Sequence, residues 1–190
     1  MKFCFAILLA LGLCASLPTQ ATTTPYEIGG ISIPTELTQQ GIPLQLNGAG
    51  VRSKFFMDLY VGGLYLPNKA DTAANALQQP VAAVSLHIIS GLITADKMRA
   101  AISEGFNEAT AGNTEAIQAD ISRFMGLFEE EIKEGDQFLL YTSKETGVSA
   151  YRNGQLQDTI AGEAFRQALL NIWLGDAPAQ GSLKKAMLGR

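Results

Sequence analysis

The chain has 190 residues and a formal net charge of −4 at neutral pH. Its one basic run is Lys184-Lys185, which gives no support to nucleic-acid binding, a function that needs a clustered basic surface. No repeat, low-complexity tract or long linker divides it, so a single domain is expected after the N-terminal segment.

That segment, MKFCFAILLALGLCASLPTQA, has one lysine and an apolar run from Phe3 to Leu13. It ends with the small residues Thr19 and Ala21 spaced as a cleavage site requires. Residues 1–21 are therefore expected to be a secretory signal peptide. The apolar run is shorter than the roughly 20 residues of a membrane span. Leu13 stands where a lipoprotein signal would place a small residue before Cys14. The expected location is periplasmic or secreted, with no stable membrane insertion after cleavage. Both cysteines, Cys4 and Cys14, fall within this segment. Residues 22–190 then hold no thiol for a disulfide, a nucleophile or a metal site.

The domain at 22–190 opens with TTTPYEIGGISIP, which reads as a loop entering a short strand. In GIPLQLNGAGV, Ile42, Leu44 and Leu46 alternate with polar residues, the pattern of a half-buried strand. Gly48 and Gly50 permit a bulge or a close backbone approach. FFMDLYVGGLYLP is a long β-prone run ending at Pro67. Asp71 is placed to cap a short helix, DTAANALQQ, and AAVSLHII returns to strand. From Thr94, a fair N-cap, Met98, Ala101, Ile102, Gly105, Phe106 and Ala109 form a helical stripe. A second helix spans Asn113 to Phe128, with Ile117, Ile121, Phe124 and Phe128 on one face. Strands DQFLLYTS, GVSAYR and QLQDTI follow, the last two joined by Asn153-Gly154, a strong hairpin signal. GEAFRQALLNIWLG is a helix stopped by Gly175, and SLKKAML a short one capped by Ser182. This order predicts an α+β domain, an antiparallel sheet covered on one face by helices.

Little in this sequence points to catalysis. One histidine, His87, cannot form a structural zinc site or a triad by itself. The glycines of NGAGV are followed by a strand pattern and not by a helix, so a dinucleotide fingerprint fails. Glu129-Glu130-Glu131 reads as solvated surface charge. Arg52 and Tyr60 remain. A guanidinium fork fits a carboxylate, and a phenol adds a donor on an apolar body. Together they would hold an acidic head while its tail lies among Phe55, Phe56, Leu64, Ile102, Phe106, Ile172 and Trp173. The other reading pairs Arg52 with Asp58 or a glutamate as a structural bridge and leaves Tyr60 to pack. In a straight strand the two residues lie about 26 Å apart, so they converge only if the chain turns or bulges between them.

NGAGVRSKFFMDLYVGGLYL resembles the N-terminal β-segment of the chalcone isomerase superfamily: a glycine-rich turn, Val-Arg, and a strand ending in Gly-x-Tyr-Leu. FRQALLNIWLG followed by SLKKAMLG resembles the family's C-terminal helix and tail, and ADKMRAAISEGF lies where the family has a pocket helix. The likeness runs over roughly residues 28 to 189, and within the superfamily the chain looks most like the secreted bacterial group. The resemblance implies an open-faced β-sandwich, a large antiparallel sheet under a layer of helices. It implies that Arg52 matches the arginine that guides ring closure in the enzymes. The enzymes' other polar positions fall at Tyr60, Thr94, Ala101 and Ile172, which removes most of the donor network around the ketone. Non-catalytic relatives grip a fatty-acid carboxylate with an arginine and a tyrosine, at positions matching Arg52 and Tyr60.

The expected function is binding of a small amphipathic ligand, a fatty acid before others, with Arg52, Tyr60, Thr94, Ala101, Ile102, Phe106, Ile172 and Trp173 as site residues. The alternatives are an isomerase or intramolecular lyase using Arg52, and a carrier of haem or another flat apolar ligand held by His87 or Tyr60. The first two readings need no cofactor or metal. The oligomeric state stays open.

Overall fold

Short-period alternation of apolar residues builds most of the domain, and the computed structural model describes it over residues 24–190. The expected signal peptide at 1–21 lies outside the described residues. Strands β1 (Tyr26–Ile28) and β2 (Ile31–Ile33) pair as a small hairpin. Strands β3 (Glu36–Gln39), β4 (Ile42–Lys54), β5 (Met57–Leu66), β6 (Val81–Ile88), β7 (Gln137–Ser143), β8 (Gly147–Arg152) and β9 (Gln155–Ile160) follow. These seven form one antiparallel sheet in chain order. Helix α1 (Ala73–Leu77) joins β5 to β6, α2 (Ala95–Ala109) and α3 (Gln118–Met125) join β6 to β7, and α4 (Glu163–Leu174) and α5 (Gly181–Met187) close the chain. This is the expected α+β architecture.

Successive strand residues face opposite sides of a sheet, and β6 shows the division. Ala82, Val84, Leu86 and Ile88 join the helix-side core with Phe106, Phe124, Phe165 and Trp173. Val81 and Ala83 face the other way, with Val61, Tyr65, Tyr141 and Ile33. On the helix side Phe106 stacks on Phe165 with centroids 5.3 Å apart, and Phe124 meets both edge-on at 6.0 and 5.7 Å. Such offset and edge contacts add to area burial because ring faces and edges carry opposite charge. The second face is covered in part by the β1–β2 hairpin. A loop and one strand were expected there, but Gly29 and Gly30 (φ 60° and 77°) turn the chain back on itself.

The glycines of β4 and β5 let α5 lie directly on the sheet. A Cβ on Gly48 would stand 2.1 Å from the Ala186 carbonyl oxygen, and one on Gly50 2.7 Å from Ala186 Cβ. A bulge interrupts pairing between Leu46 and Gly48. There Asn47 turns inward, accepts from the Ala70 N–H, and donates to the Ala70 and Met187 carbonyls, each at 2.8 Å. Both uses foreseen for these glycines, bulge and close approach, occur.

Other local expectations shift. The α1 N-cap is Thr72, whose hydroxyl accepts from Asn75 N, one residue past Asp71. The second helical segment is α3 flanked by 3-10 turns at Glu115–Ile117 and Gly126–Phe128, with the expected face buried. Gln180, not Ser182, occupies the α5 N-cap position. Phe55 and Phe56 do not extend a strand. They form the two-residue turn between β4 and β5, since Lys54 pairs with Met57.

Arg166 on α4 is fully buried and neutralised locally. Its Nε and Nη2 donate to the two Glu163 oxygens at 2.6 and 2.8 Å, and Nη2 also reaches the Leu77 carbonyl at the end of α1. The Arg166 hydrogen bonds, opposed by partial burial and helped by Gln167, hold the Glu163 carboxyl at about 2, against an ordinary 4.5.

Two predictions follow from this packing. Gly48→Ala should destabilise the fold by about 1–3 kcal/mol, the range for overpacking, because the obstructing atom is backbone; urea denaturation checks this, and a neutral result would refute the close seating of α5. The Glu163 pKa lies lower in the folded state than in the unfolded, so its contribution to stability is complete above pH 4.5 and is lost as pH falls toward about 2. Glu163→Gln should flatten the acid limb of a urea-midpoint-against-pH profile across that window.

Candidate functional site

Arg52 and Tyr60 face each other directly across β4 and β5. The chain reverses at Phe55-Phe56, which turns eight residues of sequence separation into a cross-strand pair, and a register shift follows Arg52. On its other side Tyr60 pairs with Ile88 of β6, and its side chain belongs to the helix-side core.

The buried Tyr60 hydroxyl accepts a hydrogen bond from Trp173 Nε1 at 3.1 Å. Burial raises the Tyr60 pKa, while the Trp173 hydrogen bond and the nearby Arg52 charge oppose the rise. The phenol therefore keeps its proton at neutral pH. Arg52 Nη1 donates to Gln180 Oε1 at 3.1 Å, and Ser53 N donates to the same oxygen at 2.9 Å. The Gln180 amide nitrogen in turn donates to the Val51 carbonyl and the Ser182 hydroxyl.

The ion pairs among the described residues engage Arg99, Arg123, Lys133, Arg152 and Arg166, and Arg52 is in none of them. Asp58 does not neutralise it either: that carboxylate accepts from Ser53 Oγ at 2.6 Å. Arg52 is thus a half-buried cation that donates to the neutral Gln180 amide and lies beside the Tyr60 hydroxyl. The structural-bridge reading is set aside on this geometry.

Of the expected tail contacts, Leu64, Ile102, Phe106, Ile172 and Trp173 share one core cluster with Tyr60. Ile172 fills the space left beside Gly105, where a Cβ would stand 2.9 Å from it. Phe55 and Phe56 do not belong there; they are 78% and 107% exposed at the hairpin turn. Thr94 is also displaced from the expected role. It is exposed and caps α2, accepting from Lys97 N at 3.3 Å. Ala101 is exposed as well, because the buried stripe of α2 is the narrow i, i+4 series Met98, Ile102 and Phe106. His87 pairs with Val61 and Gln137 and shares the face of Val61, opposite that of Tyr60 and Ile88. A ligand held at His87 would therefore lie on the sheet face opposite Arg52 and Tyr60. Burial lowers the His87 pKa.

Gln180 was not anticipated from the sequence. The available signal was a glutamine just before a short helix, where serine, threonine, aspartate or asparagine is the usual cap. Its amide bonds outward to the β4 segment instead of capping α5. Cavities of about 570 and 540 Å³ lie along β3 and β4, the first between Leu46, Lys69, Ala186 and Arg190, the second between Glu36, Leu37, Pro43 and Pro67. Arg52 and Tyr60 border neither. What converges at Arg52 is a pair of donors, Arg52 Nη1 and Ser53 N, on the one Gln180 oxygen. Such a pair can hold an anion at one end of an apolar interior.

Comparison with known proteins agrees with this architecture. The crystal structure of a fatty-acid binding protein from Arabidopsis thaliana superposes with a TM-score of 0.66 at 16% identity, covering 84% of this chain and 92% of that one. No curated protein sequence matches. The family model described as chalcone isomerase-like matches residues 25–189, and the chain belongs to the chalcone isomerase-like family.

Proposed function

We propose that this protein binds a fatty acid or a similar amphipathic carboxylate without transforming it. The observation that carries the reading is Arg52: a half-buried guanidinium with no carboxylate of its own, beside a buried, protonated Tyr60. The fold shared with a fatty-acid binding protein supports it.

Gln180 Oε1 occupies the position on Arg52 that a ligand oxygen would take. A carboxylate displaces this neutral acceptor because charge-assisted, bidentate bonds to arginine are the stronger ones. The Tyr60 hydroxyl gives a second donor, oriented by the bond it accepts from Trp173. The acyl chain then lies among Leu64, Ile102, Phe106 and Ile172. These side chains are close-packed, so the tail must part α2 and α4 from the sheet, and each methylene buried returns about 0.8 kcal/mol. The exposed positions of Thr94 and Ala101 and the apolar Ile172 bring no polar group to a substrate ketone, which favours binding over isomerisation. Export to the periplasm or beyond, directed by residues 1–21, and kinship with the secreted bacterial members are part of the same proposal.

Trp173 is the chain's one tryptophan, and its contact with Tyr60 makes its fluorescence a direct probe. Arg52→Ala should weaken fatty-acid affinity in a fluorescence titration by about 10- to 150-fold, the equivalent of a lost charged hydrogen bond. Its melting temperature should stay near that of the wild type, because no ion pair is broken. Unchanged affinity would overturn the clamp. Tyr60→Phe behaves differently. It leaves Trp173 Nε1 buried without an acceptor and should cost about 1–3 kcal/mol in urea denaturation, as well as weakening the ligand.

A further inference from the structure

The β4–β5 turn breaks two local rules at once. Phe55 and Phe56 both adopt left-handed backbone, φ 52° and 66°, and both rings stand in solvent. A two-residue hairpin with positive φ at both positions favours Asn-Gly, and bulky residues there are outliers. The same fold shows the ordinary solution at the β8–β9 turn, where Asn153-Gly154 adopts φ 50° and 78°. Placing two phenylalanines in such a turn sacrifices backbone preference and apolar burial together.

The surroundings extend the apolar tip. Met57 is 43% exposed. Ile89 N bonds the Leu59 carbonyl three residues past the turn, and the loop that follows carries the exposed Leu92. Among the described residues the other exposed large apolar side chains, Tyr26 and Leu156, sit on β1 and β9. Residues 52–58 carry Arg52 and Lys54 against one acid, Asp58, whose carboxylate accepts from Ser53 Oγ, a net positive tip in a chain of net charge −4. Lys54 Nζ lies 5.8 Å from the Phe55 ring centroid.

We propose that this hairpin tip docks the protein reversibly on an anionic lipid bilayer, with Phe55 and Phe56 entering the headgroup–acyl boundary and Lys54 meeting the headgroups. The size of the tip favours lipid over a protein partner. Two phenylalanines bury at most about 300–500 Å², while a specific protein interface takes about 800 Å² from each side. A bilayer needs no complementary surface. The contact is interfacial, as for other peripheral anchors; no helix among the described residues is long and apolar enough to cross a membrane. Arg52 lies three residues from Phe55, so docking brings the carboxylate clamp close to the lipid surface.

The test is co-sedimentation of the mature protein with vesicles of phosphatidylcholine and phosphatidylglycerol, with no fatty acid added. Wild type should pellet with the vesicles. Phe55→Asn/Phe56→Gly installs residues suited to the turn, so its melting temperature should be unchanged or higher, while vesicle partitioning falls about tenfold or more, as expected for losing two inserted aromatic side chains. Wild type remaining in the supernatant, or the double variant pelleting equally, overturns the proposal. Arg52→Ala losing fatty-acid affinity in vesicle-free buffer reads the clamp separately, so either idea can fail alone.

Discussion

The approach of helix α5 to the glycines of β4 and β5 governs the rest of the structure. Helix and strand meet at backbone distance, closer than any side chain at Gly48 or Gly50 would permit. Asn47, turned inward by its bulge, fastens the end of that helix through the Met187 carbonyl. With α5 seated, its leading residue Gln180 reaches Arg52, and the preceding α4 lies where Trp173 meets Tyr60. The candidate site is assembled from both arms of one hairpin and two helices more than a hundred residues downstream. No single segment contains it.

Two arginines show how the same charge serves different ends. Arg166 is fully buried, and Glu163, one turn earlier on the same helix, answers it with two hydrogen bonds. A buried cation stripped of such a partner would be strongly destabilising, so the pair is local, bidentate and structural. Arg52 is only half-buried and meets a neutral amide. Partial hydration makes that tolerable and leaves the guanidinium's stronger affinity, for an anion, unused inside the chain. The contrast separates a residue that holds the fold from one suited to hold a ligand.

Much of the fold was legible in the sequence because it rests on short-range patterns. The alternation in Ile42, Leu44 and Leu46, the Asn153-Gly154 turn, and the Gly48 and Gly50 approach all follow from periodicity or backbone permission. The misses share another cause. Phe55-Phe56 reads as strand because aromatic residues favour strands, and only register reveals a turn. Ala101 is one residue from Ile102, and a rotation of about 100° carries it off a narrow buried stripe. Gln180 acts through tertiary contacts with β4 that no local pattern encodes. For the clamp, the sequence offered the residue types and the family resemblance, while the hairpin that brings Arg52 to Tyr60 could be read only as a requirement.

Local sequence and fold disagree most sharply along the β4–β5 hairpin, and the disagreements lie close together. An unneutralised arginine sits within the sheet, and two aromatic residues occupy a turn that prefers Asn-Gly. Natural chains tend to keep such conflicts where function requires them, since each lowers stability without improving packing. One hairpin carries both, with Arg52 three residues from Phe55. A fatty acid resides in a bilayer with its carboxylate at the headgroups and its tail beneath. A tip seated at that boundary presents Arg52 at the depth of the carboxylate, and the ligand's head can be engaged before its tail has left the lipid. The step then trades one apolar surrounding for another and avoids passage of the whole chain through water, which is the costly part of moving such a ligand.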